Sequence, residues 1–260
     1  MFRPTKALIS QDALLHNYQI IQNLAPNSKN IAVIKANAYG HDALAVAETL
    51  DHIVPAFAVA CIEEALLLRA GGITKPILLL EGVFSQSEIL LSSKHNFWLM
   101  ISNSAQLNWL LDTNIEKPIK TWLKVDTGMH RLGIKPEDIN LFYSALKASK
   151  NVEKGIVLAT HFSSADVYGD LKTTQQIRLF NQIKSQLDDA IDASSIECSI
   201  ANSPALLAWP ETRLSWNRPG YMLYGSSPLD KHTKACEKLR PVMTLKSAVI
   251  EIRQISAGKT

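Results

Sequence analysis

Short apolar runs and amphipathic stretches take turns along most of this chain. Ala7 to Ser10 reads as a short extended segment. Gln11 to Leu24 sets Leu14, Leu15, Tyr18, Ile21 and Leu24 at helical spacing, and Pro26 with Asn27 breaks it. From there one unit recurs in pattern, without visible repetition of residues. Ile31–Ala36, Ala56–Ala60, Pro76–Leu80 and Phe97–Ile101 read as strands, each followed by a helix. Those helices are expected at about 42–50, up to a glycine cap at Gly71-Gly72, at about 87–93, and after an N-cap at Ser104. Further strands are expected at Ile119–Val125, Glu153–His161, Ile196–Ala201 and Thr212–Trp216, the last followed by Tyr221–Tyr224. Between them lie a helix over Pro136–Ala148 with Ile139, Phe142 and Leu146 as its stripe, a polar loop over 163–170, a long helix carrying Phe180, Ile183, Leu187 and Ile191, and a short helix from Pro204 to Ala208.

Eight strand–helix units with continuous apolar strands fit an α/β fold, the (β/α)8 or TIM barrel. An open doubly wound sheet is the competing architecture, and it usually carries a glycine-rich phosphate loop after its first strand. Here that position holds Lys35-Ala-Asn-Ala-Tyr-Gly40, which is neither GxGxxG nor a Walker A pattern. After Pro228 the pattern changes. Residues 231–238 are polar, and Arg240 to Arg253 alternates like β-structure. The expected organisation is an extended segment at 1–10, a barrel over 11–232, and the beginning of a truncated β domain over 233–260.

Composition narrows the function classes. A net charge of +3 without a basic block argues against a nucleic-acid partner. No apolar run approaches membrane-spanning length, and the first residues carry no apolar stretch of a secretory signal. Cys61, Cys198 and Cys236 are far apart and form no CxxC pair, which speaks against a disulfide framework or a zinc site. No HExxH or paired-histidine motif is present, so no catalytic metal is expected. The expected setting is the cytoplasm.

In a barrel, active sites gather at the C-terminal ends of the strands. A lysine, Lys35, ends the first apolar run, where a poorly hydrated ammonium is costly unless it is used. Alternation groups Ile31, Val33 and Lys35 on one face, and likewise Val157, Ala159 and His161, and Leu214, Trp216 and Arg218. Lys124, Asp126 and Arg131 follow the fifth strand, and Asn202 and Ser203 the seventh. Each has a plain structural reading: a snorkelling lysine, a core histidine, a surface ion pair, a helix start. Their joint placement at five strand ends favours a site. Ser203 and the Arg218-Pro-Gly220 turn follow strands seven and eight, the recurrent phosphate position of barrels. A phosphate site facing a lysine points to a phosphorylated aldehyde held as a Schiff base, and pyridoxal phosphate is the economical candidate.

Five stretches carry a family resemblance: Ala32-Val-Ile-Lys-Ala-Asn-Ala-Tyr-Gly-His41, Leu123-Lys-Val-Asp-Thr-Gly-Met-His-Arg-Leu-Gly133, Thr160-His161, Ala201-Asn-Ser-Pro204 and Arg218-Pro-Gly-Tyr-Met-Leu-Tyr-Gly225. In order and spacing the chain resembles the bacterial alanine racemases, pyridoxal 5'-phosphate enzymes with an N-terminal barrel and a C-terminal β domain. The resemblance implies that Lys35 forms the internal aldimine. Tyr39, Ser203 and the backbone at Gly220 and Tyr221 would hold the phosphate, with Asn202 nearby. Arg131 would bond the cofactor's phenolic oxygen, Arg218 would face the pyridine nitrogen, and His161 would support Arg218. Lys124 matches a lysine carbamylated in some members. Arginine stays protonated, so the ring nitrogen opposite Arg218 acts as an unprotonated acceptor, a weaker electron sink that favours racemisation over transamination.

The substrate implied is alanine, interconverted between L and D forms, either to supply D-alanine for the cell wall peptidoglycan or for L-alanine catabolism. In the family the second base is a tyrosine from the partner subunit's C-terminal domain, so the intact enzyme would be a homodimer. This chain, lacking that base, is expected to be monomeric and nearly inactive. Tyr221 departs from the family's usual aliphatic residue. A non-enzymatic pyridoxal-phosphate carrier barrel, or a racemase of other amino acids, stands as the alternative.

Overall fold

The computed structural model describes residues 3–191, 196–231 and 233–258. His232, the expected end of the barrel, and the side chain of Ile191 lie outside the described set. The strands are β1 (Lys6–Ile9), β2 (Lys29–Asn30), β3 (Ala32–Val33), β4 (Phe57–Val59), β5 (Ile77–Leu79), β6 (Phe97–Ile101), β7 (Thr121–Lys124), β8 (Val157–Ala159), β9 (Glu197–Ser199), β10 (Trp216–Asn217) and β11 (Met243–Lys246). β3 to β9 form one parallel sheet in chain order. β10 pairs in parallel with β2, whose run passes through Ile31 into β3. The Ile31 N–H donates to Asn217 O at 2.9 Å, and the Arg218 N–H donates to Ala201 O, beyond β9, at 3.0 Å. The sheet therefore curls until eight strand runs meet in a (β/α)8 barrel.

Two apolar layers follow from strand alternation. Ile31, Val33, Ala58, Leu78, Met100, Trp122, Val157, Ala159 and Trp216 fill the barrel interior. Residues of opposite parity, such as Ile34, Phe57, Leu79, Leu99, Leu123 and Leu158, pack under the helices. Trp98, Trp122 and Trp216 stand at the starts of their strands, with ring centroids 5.5 to 6.4 Å apart. They close the N-terminal end of the barrel and leave the space for a ligand at the other end.

The helices begin where side chains can satisfy first-turn amides. Ser10 accepts from Ala13 N–H at 3.1 Å, and Asp42 from Ala45 N–H at 3.2 Å. The helix Ser104–Asp112 is capped by Asn103, not Ser104, because the extended Asn103 accepts from Gln106 N–H at 3.0 Å. The strands are shorter than their apolar runs. The first run ends at Val33 and Lys35 opens a turn, since the chain leaves the ladder there. The last is only Trp216–Asn217. Thr212 closes a 3-10 turn, donating to Trp209 O at 2.6 Å, and Leu214 packs with the outer layer rather than facing inward with Trp216. β11 pairs antiparallel with β1, Lys6 opposite Lys246 and Ile9 opposite Met243. Beyond it, residues 247–256 are exposed and irregular. Among the described residues no helix is long and apolar enough to cross a membrane, and no His, Cys, Asp and Glu cluster could hold a metal ion.

Candidate active site

A cavity of about 410 Å³ opens at the C-terminal end of the barrel. Lys35, Tyr39, Lys124, Arg131, His161, Asn202, Ser203, Arg218, Gly220 and Tyr221 all line it. The candidates singled out from the sequence are thus brought to one place, except Asp126, which is not among the lining residues. Val33 and Met100 form part of its floor, and Glu81 and Leu132 stand on its wall.

Lys35 enters the cavity two residues after β3 and is half-buried. The next four residues, Ala36 to Tyr39, have φ between 52° and 55°, a left-handed helical turn without glycine. Such a conformation costs about 1–2 kcal/mol per residue, so contacts around it must hold it. Several do. Ala36 N–H donates to Glu64 Oε1 at 2.6 Å, and Ala38 N–H donates to Ile34 O at 2.9 Å. Asn37 Oδ1 accepts from Ala43 N–H at 2.8 Å, joining the turn to the helix Ala43–Leu50. His41 reaches Ala38 O at 3.0 Å through Nδ1 and stacks on Tyr224, with 4.5 Å between centroids. The Tyr224 hydroxyl donates to Val33 O at 3.1 Å, which ties the stack to β3. Burial pushes the Tyr39 and Tyr224 phenols up from their ordinary range.

Across the cavity the helix Ser203–Ala208 is capped by Asn202, which accepts from Ala205 N–H at 3.2 Å. The buried Ser203 hydroxyl accepts from Gly220 N–H at 3.0 Å and Met222 N–H at 3.2 Å. This binds the strand-seven and strand-eight loops into one cradle. A Cβ at Gly220 would lie 2.5 Å from the Tyr39 hydroxyl oxygen, so the glycine is what lets the tyrosine close that cradle.

Cations form the remaining wall. Arg218 is buried, and loss of solvent brings its pKa down to about 10, which still leaves it charged. Its Nη1 donates to Ser199 O at 2.8 Å and to the Ser199 hydroxyl. Its Nη2 donates to Thr160 O at 2.5 Å and lies 3.5 Å from His161 Nδ1. Nε has no acceptor among the described residues and is the guanidinium nitrogen left for a ligand. Burial, then Arg218, Lys124, Arg131 and Lys35, hold His161 well below the usual imidazole pKa. Lys124 is buried, and desolvation followed by Arg218 and Arg131 brings its ammonium down to about 8. Arg131 stands exposed on a loop fixed by Asp126, whose Oδ1 accepts the N–H groups of Gly128, Met129 and His130 at 2.9 to 3.1 Å. Four basic side chains and one carboxylate, Glu81, make a wall suited to an anionic ligand.

Comparison with known proteins decides the family. The profile described as "Alanine racemase, N-terminal domain" matches residues 9–228. The alanine racemase of Pseudomonas entomophila is 45% identical over 257 residues, covering 99% of this chain and 70% of that protein. The chain belongs to the alanine racemase family. The crystal structure of the biosynthetic alanine racemase from Pseudomonas aeruginosa superposes with a TM-score of 0.90 at 36% identity, covering 100% of this chain and 70% of that one. That of the alanine racemase from Bartonella henselae, which carries covalently bound pyridoxal phosphate, has a TM-score of 0.84 at 25% identity and covers 98% of this chain and 69% of that one.

In this alanine racemase family chain, the supporting residues were the ones hidden from the sequence. Ser199 and Gln176, with no motif of their own, and Thr160, which precedes His161 in one, steady Arg218 and His161. Gln176 donates to His161 O at 3.0 Å and to the Thr127 hydroxyl at 3.2 Å. Glu64 sits as an ordinary carboxylate in the first turn of Ile62–Ala70, which nothing in the sequence marks, whereas Glu81 follows the strand Ile77–Leu79 at the end where site residues gather, a signal the sequence reading passed over.

Proposed function

We propose that this chain is the pyridoxal-phosphate barrel of an alanine racemase, an isomerase interconverting L-alanine and D-alanine. The observation that carries this reading is the meeting of Lys35, two arginines and the Ser203–Gly220 cradle around one cavity. The cofactor's fit rests on the same wall. A cradle with no room for a Cβ, hydroxyls at Tyr39 and Ser203, and an excess of cations match a phosphorylated, carbonyl-bearing anion. When bound, pyridoxal phosphate supplies the carbonyl that amines attack and the conjugated ring that spreads the charge left by a departing α-proton.

The chain's own residues then divide the work. Lys35 would hold the cofactor through its amine and would move the α-proton at one face. Ser203, Tyr39 and the amides of Gly220 and Tyr221 would bind the phosphate, the Gly220 N–H giving up the Ser203 hydroxyl to which it donates, and Asn202 fixes the helix that carries Ser203. Arg131 donates to the phenolic oxygen. Arg218 would hold the ring nitrogen through Nε, the guanidinium nitrogen without an acceptor among the described residues, and as a permanent donor would keep that nitrogen an acceptor and disfavour transamination. His161 keeps Arg218 oriented. Lys124, whose amine is partly neutral near pH 8, can take up carbon dioxide, and the resulting carbamate would pair with the arginines beside it.

Racemisation needs a proton-transfer group on each face of the α-carbon. We assign the second to a partner subunit in a homodimer acting in the cytoplasm, which serves either D-alanine supply for the cell wall or L-alanine catabolism. The experiment is direct. Pyridoxal phosphate is added, the adduct is reduced with borohydride, and the modified lysine is found by peptide mapping, with Lys35→Ala as control. Trapping at Lys35 alone supports the reading, and undiminished trapping in Lys35→Ala overturns it.

A further inference from the structure

We propose that Glu64 is a positioning residue for Lys35, clamping the peptide that follows the lysine to the end of the neighbouring strand. β3 and β4 run parallel, with Ala32 opposite Phe57 and Val33 opposite Ala58. Their ladder makes its last rung where Ile34 N–H donates to Ala58 O at 2.8 Å. Beyond that rung the two chains part, one into the left-handed turn and the other into the helix Ile62–Ala70. Two amides are left facing the gap, and one carboxylate takes both. Glu64 Oε1 accepts from Ala36 N–H at 2.6 Å, and Glu64 Oε2 accepts from Ala60 N–H at 2.8 Å.

The Ala36 amide belongs to the peptide plane that begins at the Lys35 carbonyl. Fixing that plane fixes the backbone from which the lysine side chain leaves. The turn cannot supply its own acceptor, because first-turn amides of any helix lack one within the helix. Charge-assisted bonds to an ionised carboxylate are the strong kind. The Ala60 contact alone resembles the way a glutamate in the first turn reaches back to cap its own helix. The Ala36 contact does not, since Ala36 lies 28 residues away on the lysine's own segment. The proposal rests on Lys35 being the point of cofactor attachment.

Glu64→Ala and Glu64→Gln are compared with the unaltered chain and with Glu63→Ala, an exposed neighbour on the same helix. One readout is amide hydrogen exchange over residues 35–40 without cofactor. The other is the rate at which added pyridoxal phosphate can be trapped on Lys35, followed against pH. Glu64→Ala should speed exchange across 35–40, shift the pH midpoint of trapping, and slow trapping by about tenfold or more, the scale on which a misplaced reacting group slows its chemistry. Glu64→Gln keeps one acceptor oxygen and should fall between, and Glu63→Ala should match the unaltered chain. If Glu64→Ala does not fold, Glu64→Gln is judged by the same criteria. Trapping at the unaltered rate and pH midpoint overturns the clamp, even if the melting temperature drops, because a helix cap alone would do that. No trapping at Lys35 in the unaltered chain overturns the attachment reading and the clamp together.

Discussion

Nη2 of Arg218 stands 3.5 Å from Nδ1 of His161, so the imidazole meets a permanent donor and must accept there. Its proton therefore sits on Nε2 and the ring is neutral. Burial and the surrounding cations hold its pKa well below the ordinary value, whereas the unfolded chain takes up that proton near about 6.5. Below that pH the unfolded state binds a proton that the folded state refuses. Stability then rises with pH through this window and falls as the pH drops under it, with a limiting slope of about 1.4 kcal/mol per pH unit for one group. Denaturant unfolding between pH 7 and pH 5 should show this loss, and His161→Gln should lessen the slope by one group's share. Equal slopes in the two chains would count against a neutral His161.

Lys124 offers a second titration with a covalent outcome. Desolvation, Arg218 and Arg131 bring its ammonium down to about 8, so a sizeable neutral fraction exists near that pH. A carbamate would turn a buried cation facing two arginines into an anion paired with them, which removes the mismatch. Carbon-13 NMR in labelled bicarbonate at pH 8 should give one carbamate resonance, lost in Lys124→Met and fading as the pH falls to 6. A spectrum unchanged by Lys124→Met would sink the assignment.

Tyr39 and Gly220 make a steric prediction. An added Cβ at position 220 would lie 2.5 Å from the Tyr39 hydroxyl oxygen and 3.1 Å from the ring carbon bearing it. Gly220→Ala should therefore cost about 1–3 kcal/mol, the usual range for overpacking, and weaken cofactor binding. Tyr39→Phe removes the nearer atom, so the double variant should recover much of the stability lost. Strictly additive losses in thermal or denaturant melts would show that the two side chains do not meet.

These relationships divide what the sequence could and could not reveal. The eight apolar runs and the polar residues at their ends follow from local pattern, and those ends converge because a parallel barrel sends all its strands the same way. Ile31 and Val33 do face inward, and Lys35 does reach the cavity. What stayed hidden depends on contacts across the chain. Ala36, Ala38 and Tyr39 have no preference for positive φ, and their left-handed turn exists because Glu64, Ala43 and Tyr224 hold it. The same holds for the Ser199 and Thr160 carbonyls that orient Arg218, since backbone acceptors carry no residue signature. Asn103 displaced Ser104 as a cap by one position, a distinction that cap chemistry alone does not make.

The last prediction concerns the second face of the substrate. Among the titratable groups lining the cavity, His161 is neutral beside Arg218, and Lys124 faces two arginines. Tyr39 has its phenol pKa raised and its ring against Tyr224, at 5.1 Å between centroids. We assign proton transfer to Lys35, the residue proposed to attach the cofactor, acting from one side, and the carboxylate of Glu81 and the phenol of Tyr221 also line the cavity. Residues 1–260 supplied with pyridoxal phosphate should exchange the α-proton of one alanine enantiomer, the one whose proton faces Lys35, for solvent deuterium mostly with retention. Conversion to the other enantiomer should lag that exchange by about 100-fold, the lower range of what a positioned acid–base group contributes. Lys35→Ala should lose both. Proton NMR with a chiral assay separates the two rates. Should inversion keep pace with exchange, the second base lies within these residues, and Tyr39→Phe, Tyr221→Phe and Glu81→Gln become the variants that identify it.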